Sequence, residues 1–188
     1  MSGTLPTDAF QKMTVTTFAG TREHIAQSGK IQAQGTGVQR FSIKGSLAPT
    51  KREAAEVLFS FVMQQEGRAN TFDVIPPIEG YTQGNTTSKV TVNGAHSKGV
   101  ETISIQGADA PIAHGFIKFA NHSKVYRVVQ PSETSIEIRP RLMKPLLDNE
   151  LVIYNAVPFR VSFVSDIHDM DMSDANWYRQ KLEMKEAF

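Results

Sequence analysis

The chain of 188 residues carries 20 lysines and arginines against 19 aspartates and glutamates, a net charge of +1, and it contains no cysteine. Proteins that hold nucleic acid by its phosphates normally show a clear basic excess, so this balance argues against phosphate-driven binding. The lack of cysteine excludes disulfides, thiolate zinc sites and cysteine nucleophiles. A hydrophobic content of 40% is sufficient for an ordinary packed core.

The first fifty residues predict β-strands. Residues 13–18 and 38–47 are rich in β-branched and aromatic side chains that partly alternate with polar ones. The polar, glycine-bearing stretch between them indicates a further strand and a hairpin. The N-terminus has neither a basic start nor an apolar stretch, and no apolar run is long enough to span a bilayer. We therefore expect a chain that is made in a cytoplasm and has no membrane segment.

One helix is predicted from about residue 51 to residue 66. Thr50 and Glu53 have the spacing of a capping box at its start. Gly67 follows its end, where a residue in the left-handed conformation is favoured. Apolar side chains recur at spacings of three and four, which places them in one stripe expected to pack against the core. These residues are Ala54, Val57, Leu58, Phe61 and Val62.

The second half of the chain predicts a series of short strands. Alternation is clear in residues 135–139 and 159–163, and turn signals such as Asn93-Gly94 and Asp148-Asn149 separate the segments. Five to seven strands in about 85 residues are typical of a small closed or sandwiched β module. The last twelve residues alternate as a strand does, although two of them, Tyr178 and Leu182, also fit one face of a helix.

Two groups of residues have the chemistry of metal ligands but lack the spacing. His114 and His122 flank a predicted strand at a separation that no common zinc site uses. An acidic segment has neither the glycine nor the terminal glutamate of a calcium loop, so we interpret it as a solvated loop. That segment contains Asp166, His168, Asp169, Asp171 and Asp174. We expect no metal and no cofactor.

No catalytic motif is present. The sequence lacks the GxSxG, P-loop, HExxH and dinucleotide patterns. Glu137 with Asp148 or Glu150 offers a pair of carboxylates, but any β protein contains such pairs. We expect no catalytic residues and no enzyme activity. The basic residues near Pro140 predict a hydrated surface, with a polyanion or partner contact as the alternative; they are Arg139, Arg141 and Lys144.

Two segments resemble the distal tail protein of long, flexible-tailed phages, in the version that carries an inserted barrel of the oligonucleotide/oligosaccharide-binding (OB) type. In residues 49–77 a helix ends in an aromatic-bearing turn with glycine and arginine, followed by a Thr-Phe strand closed by proline. The matching positions are Phe59 or Phe61, Gly67, Arg68, Thr71, Phe72, Pro76 and Pro77. Residues 115–152 resemble the second half of the same proteins, with a glycine-led strand, a Val-Tyr strand and an I-x-I-x-P step. One departure is His114-Gly115, where the family often has an acidic residue after glycine.

The resemblance implies a mainly β (α+β) fold with a discontinuous organisation. Residues 1–78 and 166–188 would form a ring-forming β-sandwich domain with one helix, and residues 79–165 would form an inserted, small OB-like β-barrel. It also implies a structural virion protein of the tail tip, present as a homo-hexamer that joins the tail tube protein to the hub or baseplate. The barrel would be free to contact a tail fibre or a host-surface glycan. No membrane and no specific nucleic acid are implied as partners.

Two other functions fit the sequence less well. A binding module would use its OB-type barrel to hold a glycan or single-stranded nucleic acid, and it would need exposed aromatic side chains to stack on the ligand. The aromatic residues available are Tyr81, Phe119, Tyr126 and Tyr154, most of them in alternating strands where burial is expected. A small hydrolase would rest only on scattered carboxylates.

Overall fold

A computed structural model gives the fold of the chain and describes residues 3–6, 10–77, 88–108, 112, 114–173 and 177–188. These residues form two antiparallel sheets and one helix, so the fold is mainly β, as the sequence predicts. The elements in chain order are β1 Phe10–Ile25, β2 Ile31–Leu47, β3 Thr50–Lys51, α1 Arg52–Gln64, β4 Phe72–Val74, β5 Thr91–Val92, β6 Thr102–Gln106, β7 Phe116–Phe119, β8 Val125–Pro131, β9 Ser135–Arg139, β10 Val152–Ile153, β11 Phe159–Phe163, β12 Met170–Met172 and β13 Trp177–Glu186.

The larger sheet has the strand order β1, β2, β13, β11, β4, and the short strands β3 and β12 pair with β13. Ten of the last twelve residues form β13, which buries every second side chain from Tyr178 to Glu186. That period of two matches the alternation read from the sequence and confirms the strand interpretation. The buried side chains of this sheet pack against α1, which covers one face.

The smaller sheet has the strand order β10, β7, β8, β9, β6, β5 and is nearly closed into a barrel. Closure comes from backbone hydrogen bonds between its two end segments. The Val92 amide donates to the Glu150 carbonyl at 2.9 Å, and the Val152 amide donates to the Val90 carbonyl at 3.0 Å. Closing a sheet in this way removes most of its exposed edge.

The change from barrel to larger sheet occurs earlier in the chain than residue 165. β10, which ends at Ile153, belongs to the barrel, whereas β11 pairs with β13 and β4 in the larger sheet. Phe116 and Val125, from barrel strands, are buried in the same hydrophobic cluster as the larger sheet. The barrel strands therefore share a core with the sheet beside them. The polar segment expected to precede the barrel lies mostly outside the described residues.

The helix is present, but its start and its buried face differ from the prediction. The residue at its N-cap is Lys51, without a side-chain cap, while Thr50 belongs to β3 and makes no capping box. Leu58 and Val62 are buried as expected, but Val57 is 64% exposed. Val57 lies about 100° around the helix from Leu58, and the sheet covers only the stripe that contains Leu58. Gly67 adopts φ +63°, the left-handed conformation that the sequence indicated.

Candidate assembly surface

β1 and β2 form a hairpin that extends well beyond the rest of the larger sheet. The two strands pair from Phe10 opposite Leu47 to Ile25 opposite Ile31. β13 pairs with β2 only at residues 42–46. Residues 18–25 and 31–40 therefore continue as a two-stranded ribbon, which we call the arm. At about 3.3 Å per residue, eight residues give the arm a reach of roughly 26 Å.

The arm is exposed on both faces. Ile25 and Ile31 lie directly opposite each other next to the turn, and their side chains are 65% and 62% exposed. Phe18, where the arm begins, is 66% exposed. Isolated two-stranded ribbons are marginally stable in water, and large apolar side chains gain stability by burial. The arm is therefore a surface that would be stabilised by contact with another molecule.

A shift of register lies near the base of the arm. The irregularity falls between Ala19 and Thr21, and Thr36 Oγ1 donates a hydrogen bond to the Gly20 carbonyl at 2.9 Å. Gly37, opposite this point, adopts φ +71°, a conformation that residues with a side chain rarely take. Bulges of this kind increase local twist and redirect the strands beyond them.

The outer edge of β1 is a second unpartnered feature. Among the described residues, β1 pairs with β2 alone and stands at the end of the larger sheet. An edge strand presents a row of unpaired backbone amides and carbonyls that can pair with another chain. With 16 residues, β1 is a long edge strand. The arm and this edge belong to the same strand, so one partner could contact both.

The histidines predicted not to form a zinc site occupy different environments. His114 is exposed, whereas His122 is buried in the barrel with Nδ1 3.2 Å from the Tyr126 hydroxyl. That hydroxyl also accepts a hydrogen bond from the Met143 amide at 3.1 Å. Burial lowers the pKa of His122 and raises the pKa of Tyr126 to about 12. Both side chains are part of a neutral, buried network that supports the barrel.

The acidic segment after β11 is held mainly through Asp166. Its carboxylate forms an ion pair with Arg68, with Oδ2 2.7 Å from Nη2, and accepts the Arg68 amide at 2.9 Å. The ring of His168 packs on Phe163 with centroids 4.3 Å apart. Within the part of the chain that the structure describes, no three acidic or histidine side chains converge as metal ligands would. Asp174 lies outside that part.

The three carboxylates considered as acid or base each have structural partners. Glu137 forms an ion pair with Arg139 at 3.0 Å. Asp148 accepts the Gly94 amide at 2.7 Å, and buried Glu150 accepts the Asn121 amide at 2.9 Å. These contacts stabilise the strand ends and turns of the barrel.

The basic residues near Pro140 divide into two paired arginines and an exposed lysine. Glu101 binds both arginines, at 2.7 Å to Arg139 Nη1 and 2.7 Å to Arg141 Nε. The two arginines lower the pKa of Glu101, the hydrogen bond from Arg139 having the largest effect. Lys144 is exposed. The cluster is largely neutralised within the barrel.

The aromatic residues considered for ligand stacking are mostly in the barrel core. Phe119 and Tyr126 are fully buried. Tyr154 is half-buried, and its hydroxyl donates to the Ser88 carbonyl. Tyr81 lies outside the described residues. Phe119 and Tyr126 therefore present no open face of the kind that stacks on a sugar or a base.

No protein-family model and no curated protein matches this chain. Among the described residues, no helix is long and apolar enough to cross a membrane.

The sequence predicted a strand and a hairpin in the stretch that forms the arm, but not that the hairpin extends beyond the rest of the sheet. Residues 13–18 and 38–47 were predicted as strands, but the stretch between them is polar and lacks a buried face. A signal is nevertheless present, because Ile25 and Ile31 flank a short turn that contains Gly29 in a left-handed conformation. Two apolar residues at matching distances from a glycine turn are typical of a hairpin pair.

Proposed function

We propose that the chain is a structural subunit of a phage tail tip, present in six copies as a ring between the tail tube and the hub. The observation that carries the proposal is the arm, with Ile25 and Ile31 exposed at its tip. A ribbon with apolar side chains and no support from the rest of the described chain is suited to lie on a neighbouring subunit. The sequence resemblance in residues 49–77 and 115–152 points in the same direction.

The contacts of such a ring would be heterologous, because each subunit offers two different surfaces. The arm and the outer edge of β1 would meet a separate surface on the next copy, and repetition of that contact around an axis closes a ring. Glu186 supports the geometry by fixing the base of the arm, since its Oε2 accepts the Phe41 amide at 3.1 Å. A fixed base sets the direction in which the arm leaves the sheet.

The barrel would be an accessory module of this subunit, of the OB type that the resemblance implies. Its nearly closed sheet is compatible with that assignment. A role as an independent glycan or single-strand binder has less support, since Phe119 and Tyr126 are buried. Glu137, Asp148, Glu150 and His122 support the barrel structurally and provide no argument for catalysis.

The decisive test is the position of the chain in the particle. Immunogold labelling with an antibody against the chain should mark the distal end of the tail tube, and image averaging should show six copies. Particles without the chain, or with it in single or threefold copy elsewhere, would contradict the proposal.

A second test addresses the arm. Ile25→Asp with Ile31→Asp should prevent incorporation into particles, because charged side chains cannot be buried in the contact without a large cost. The matched control is Val57→Asp with Met63→Asp, which changes two helix residues that are 64% and 66% exposed. Incorporation of the control but not of the arm variant supports the role of the arm. Equal incorporation of both variants would show that assembly does not need the exposed isoleucines of the arm.

A further inference from the structure

The outward face of the larger sheet brings lysines from three strands together. β1, β2 and β13 lie side by side, and their register aligns outward side chains in rows across the strands. We call three of these rows the basic face. The rows are Lys12, Ser46 and Lys181; Thr14, Lys44 and Glu183; and Thr16, Ser42 and Lys185. The intervening residues of β2 and β13 point into the core.

The basic face carries four exposed lysines and one glutamate, a net charge of +3. Glu183 accepts a hydrogen bond from Lys44 Nζ at 2.7 Å. Lys12, Lys181 and Lys185 have no ion-pair partner within the described part of the chain. The whole chain has a net charge of only +1, so the fold concentrates positive charge on this face and leaves the remainder of the molecule net negative.

A shallow dent lies between the first two rows. Gly45 and Ser46 are small, and longer side chains surround them, which leaves a space of about 170 Å³. Lys12, Thr14, Lys44, Ser46 and Lys181 line it together with Leu182 and Glu183. The lysine and hydroxyl side chains can donate hydrogen bonds to an anionic oxygen, and Glu183 is paired with Lys44. Strands about 4.8 Å apart place the backbones of the first and third strands about 10 Å apart, so long lysines from both can reach one anion.

We propose that the basic face binds the sugar-phosphate backbone of nucleic acid without reading its sequence. Interfaces with nucleic acid are polar and strongly positive, and hydroxyl groups commonly contact their phosphates. An interface with an acidic protein would instead have an apolar, aromatic-rich centre. The nine residues of the basic face include neither apolar nor aromatic side chains. They also include no arginine, asparagine or glutamine, which are side chains that commonly read base edges.

This inference does not depend on the six-copy ring, because a single copy carries the whole face. It differs from the OB-type alternative in its location, since the face belongs to the larger sheet rather than to the barrel. The near-neutral total argues against a protein that is basic throughout, whereas local contacts depend on the charges that the fold brings together.

The test is binding of the full chain to a short labelled DNA duplex, followed by fluorescence anisotropy over a salt series. The variant K12Q/K181Q/K185Q removes three lysines of the basic face. The matched control K89Q/K98Q/K144Q removes three exposed lysines elsewhere and changes the net charge equally. We expect the face variant to weaken binding about tenfold or more and to reduce the slope of log K against log salt by about 2 to 3. The control should stay within about twofold.

A variant that makes the basic face more positive should strengthen DNA binding. Glu183→Gln removes the acid of the basic face, so it should tighten DNA binding, and unchanged affinity would contradict the charge argument. Absence of wild-type binding at low salt, or equal weakening by both triple variants, would overturn the proposal. Polyglutamate is the probe that distinguishes an acidic protein partner from nucleic acid. Binding of polyglutamate as tightly as DNA would assign the face to an acidic protein instead. Far-UV circular dichroism of each variant checks that it is folded.

Discussion

The Lys124 ammonium and the Glu186 carboxylate form a buried ion pair that joins the barrel to the larger sheet, with side chains 3% and 0% exposed. The same carboxylate accepts the Phe41 amide at 3.1 Å and the Val125 amide at 2.9 Å. Rings of Phe41 and Phe188 lie 4.7 and 4.6 Å from Lys124 Nζ. One carboxylate therefore holds β2 at the base of the arm, β8 of the barrel and β13 together.

Glu186→Ala should lower the free energy of unfolding by about 3–5 kcal/mol, because it leaves Lys124 charged, buried and unpaired. Burial already lowers the pKa of Lys124, against the opposing effect of Glu186. Denaturant unfolding measures the loss. Glu183→Ala on the same strand is the matched control, since its pair with Lys44 is about half exposed on both sides. That control should lose less than about 1 kcal/mol, and equal losses would refute the assigned role.

A double replacement tests whether the charge itself is needed. Lys124→Met with Glu186→Leu removes both charges together and keeps apolar volume. We expect it to be more stable than Glu186→Ala alone, because no unpaired charge remains. Two backbone amides, of Phe41 and Val125, still lose their acceptor, so some destabilisation should persist. A double variant less stable than the single one would contradict the assignment of the loss to an unpaired charge on Lys124.

Stability should fall on acidification through the titration of His122. Burial lowers its pKa from the ordinary 6.5, with Glu150 and a hydrogen bond to Pro145 opposing the shift. The unfolded chain then binds more protons between the two pKa values, so stability is complete above about pH 6.5 and is lost as pH falls below it. Burial also lowers the pKa of His168, which adds to the same trend.

Unfolding measured between neutral and mildly acidic pH checks this. His122→Gln should flatten the dependence of stability on pH without abolishing it, because His168 remains. His114→Gln, at an exposed position, is the control and should leave the dependence unchanged. A His122 variant with the wild-type slope would disprove the assignment.

Truncation to alanine should change stability by very different amounts at two adjacent helix residues. Leu58 is 2% exposed and Val57 is 64% exposed. Leu58→Ala should cost about 2–5 kcal/mol through lost burial and a cavity. Val57→Ala should change stability by less than about 0.5 kcal/mol, as surface substitutions usually do. Thermal or denaturant unfolding of both variants decides it, and similar costs would mean that the helix is rotated.

Backbone hydrogen exchange should be slow in one part of the β1–β2 hairpin and faster in the other. Amides of β2 at residues 42–46 lie between two strands and should exchange slowly. Those in the arm depend on a two-stranded ribbon alone and should exchange faster in the isolated chain. Assembly should then slow exchange in the arm selectively. Equal protection of arm and base in the isolated chain would argue against an arm that requires a partner.

The sequence determined the local structure of this protein to a large extent. The strands from β5 to β11 follow alternating segments separated by turn residues, and α1 follows apolar spacings of three and four. Gly67 adopts the left-handed conformation predicted for the residue after a helix. These features depend on a few neighbouring residues, so local periodicity and backbone preference are enough to predict them. The capping box failed because Thr50 pairs with β13, a tertiary contact that competes with capping.

The surfaces proposed for function were decided by tertiary structure alone. Lys12, Lys44 and Lys181 are far apart in the chain, and only strand register places them around one dent. The pairing of Lys124 with Glu186 joins residues 62 positions apart. Local sequence fixes which side chains share one strand face, because that depends on period. Which strands become neighbours depends on long-range packing, and that packing decided where charge is concentrated and which ribbon is left without support.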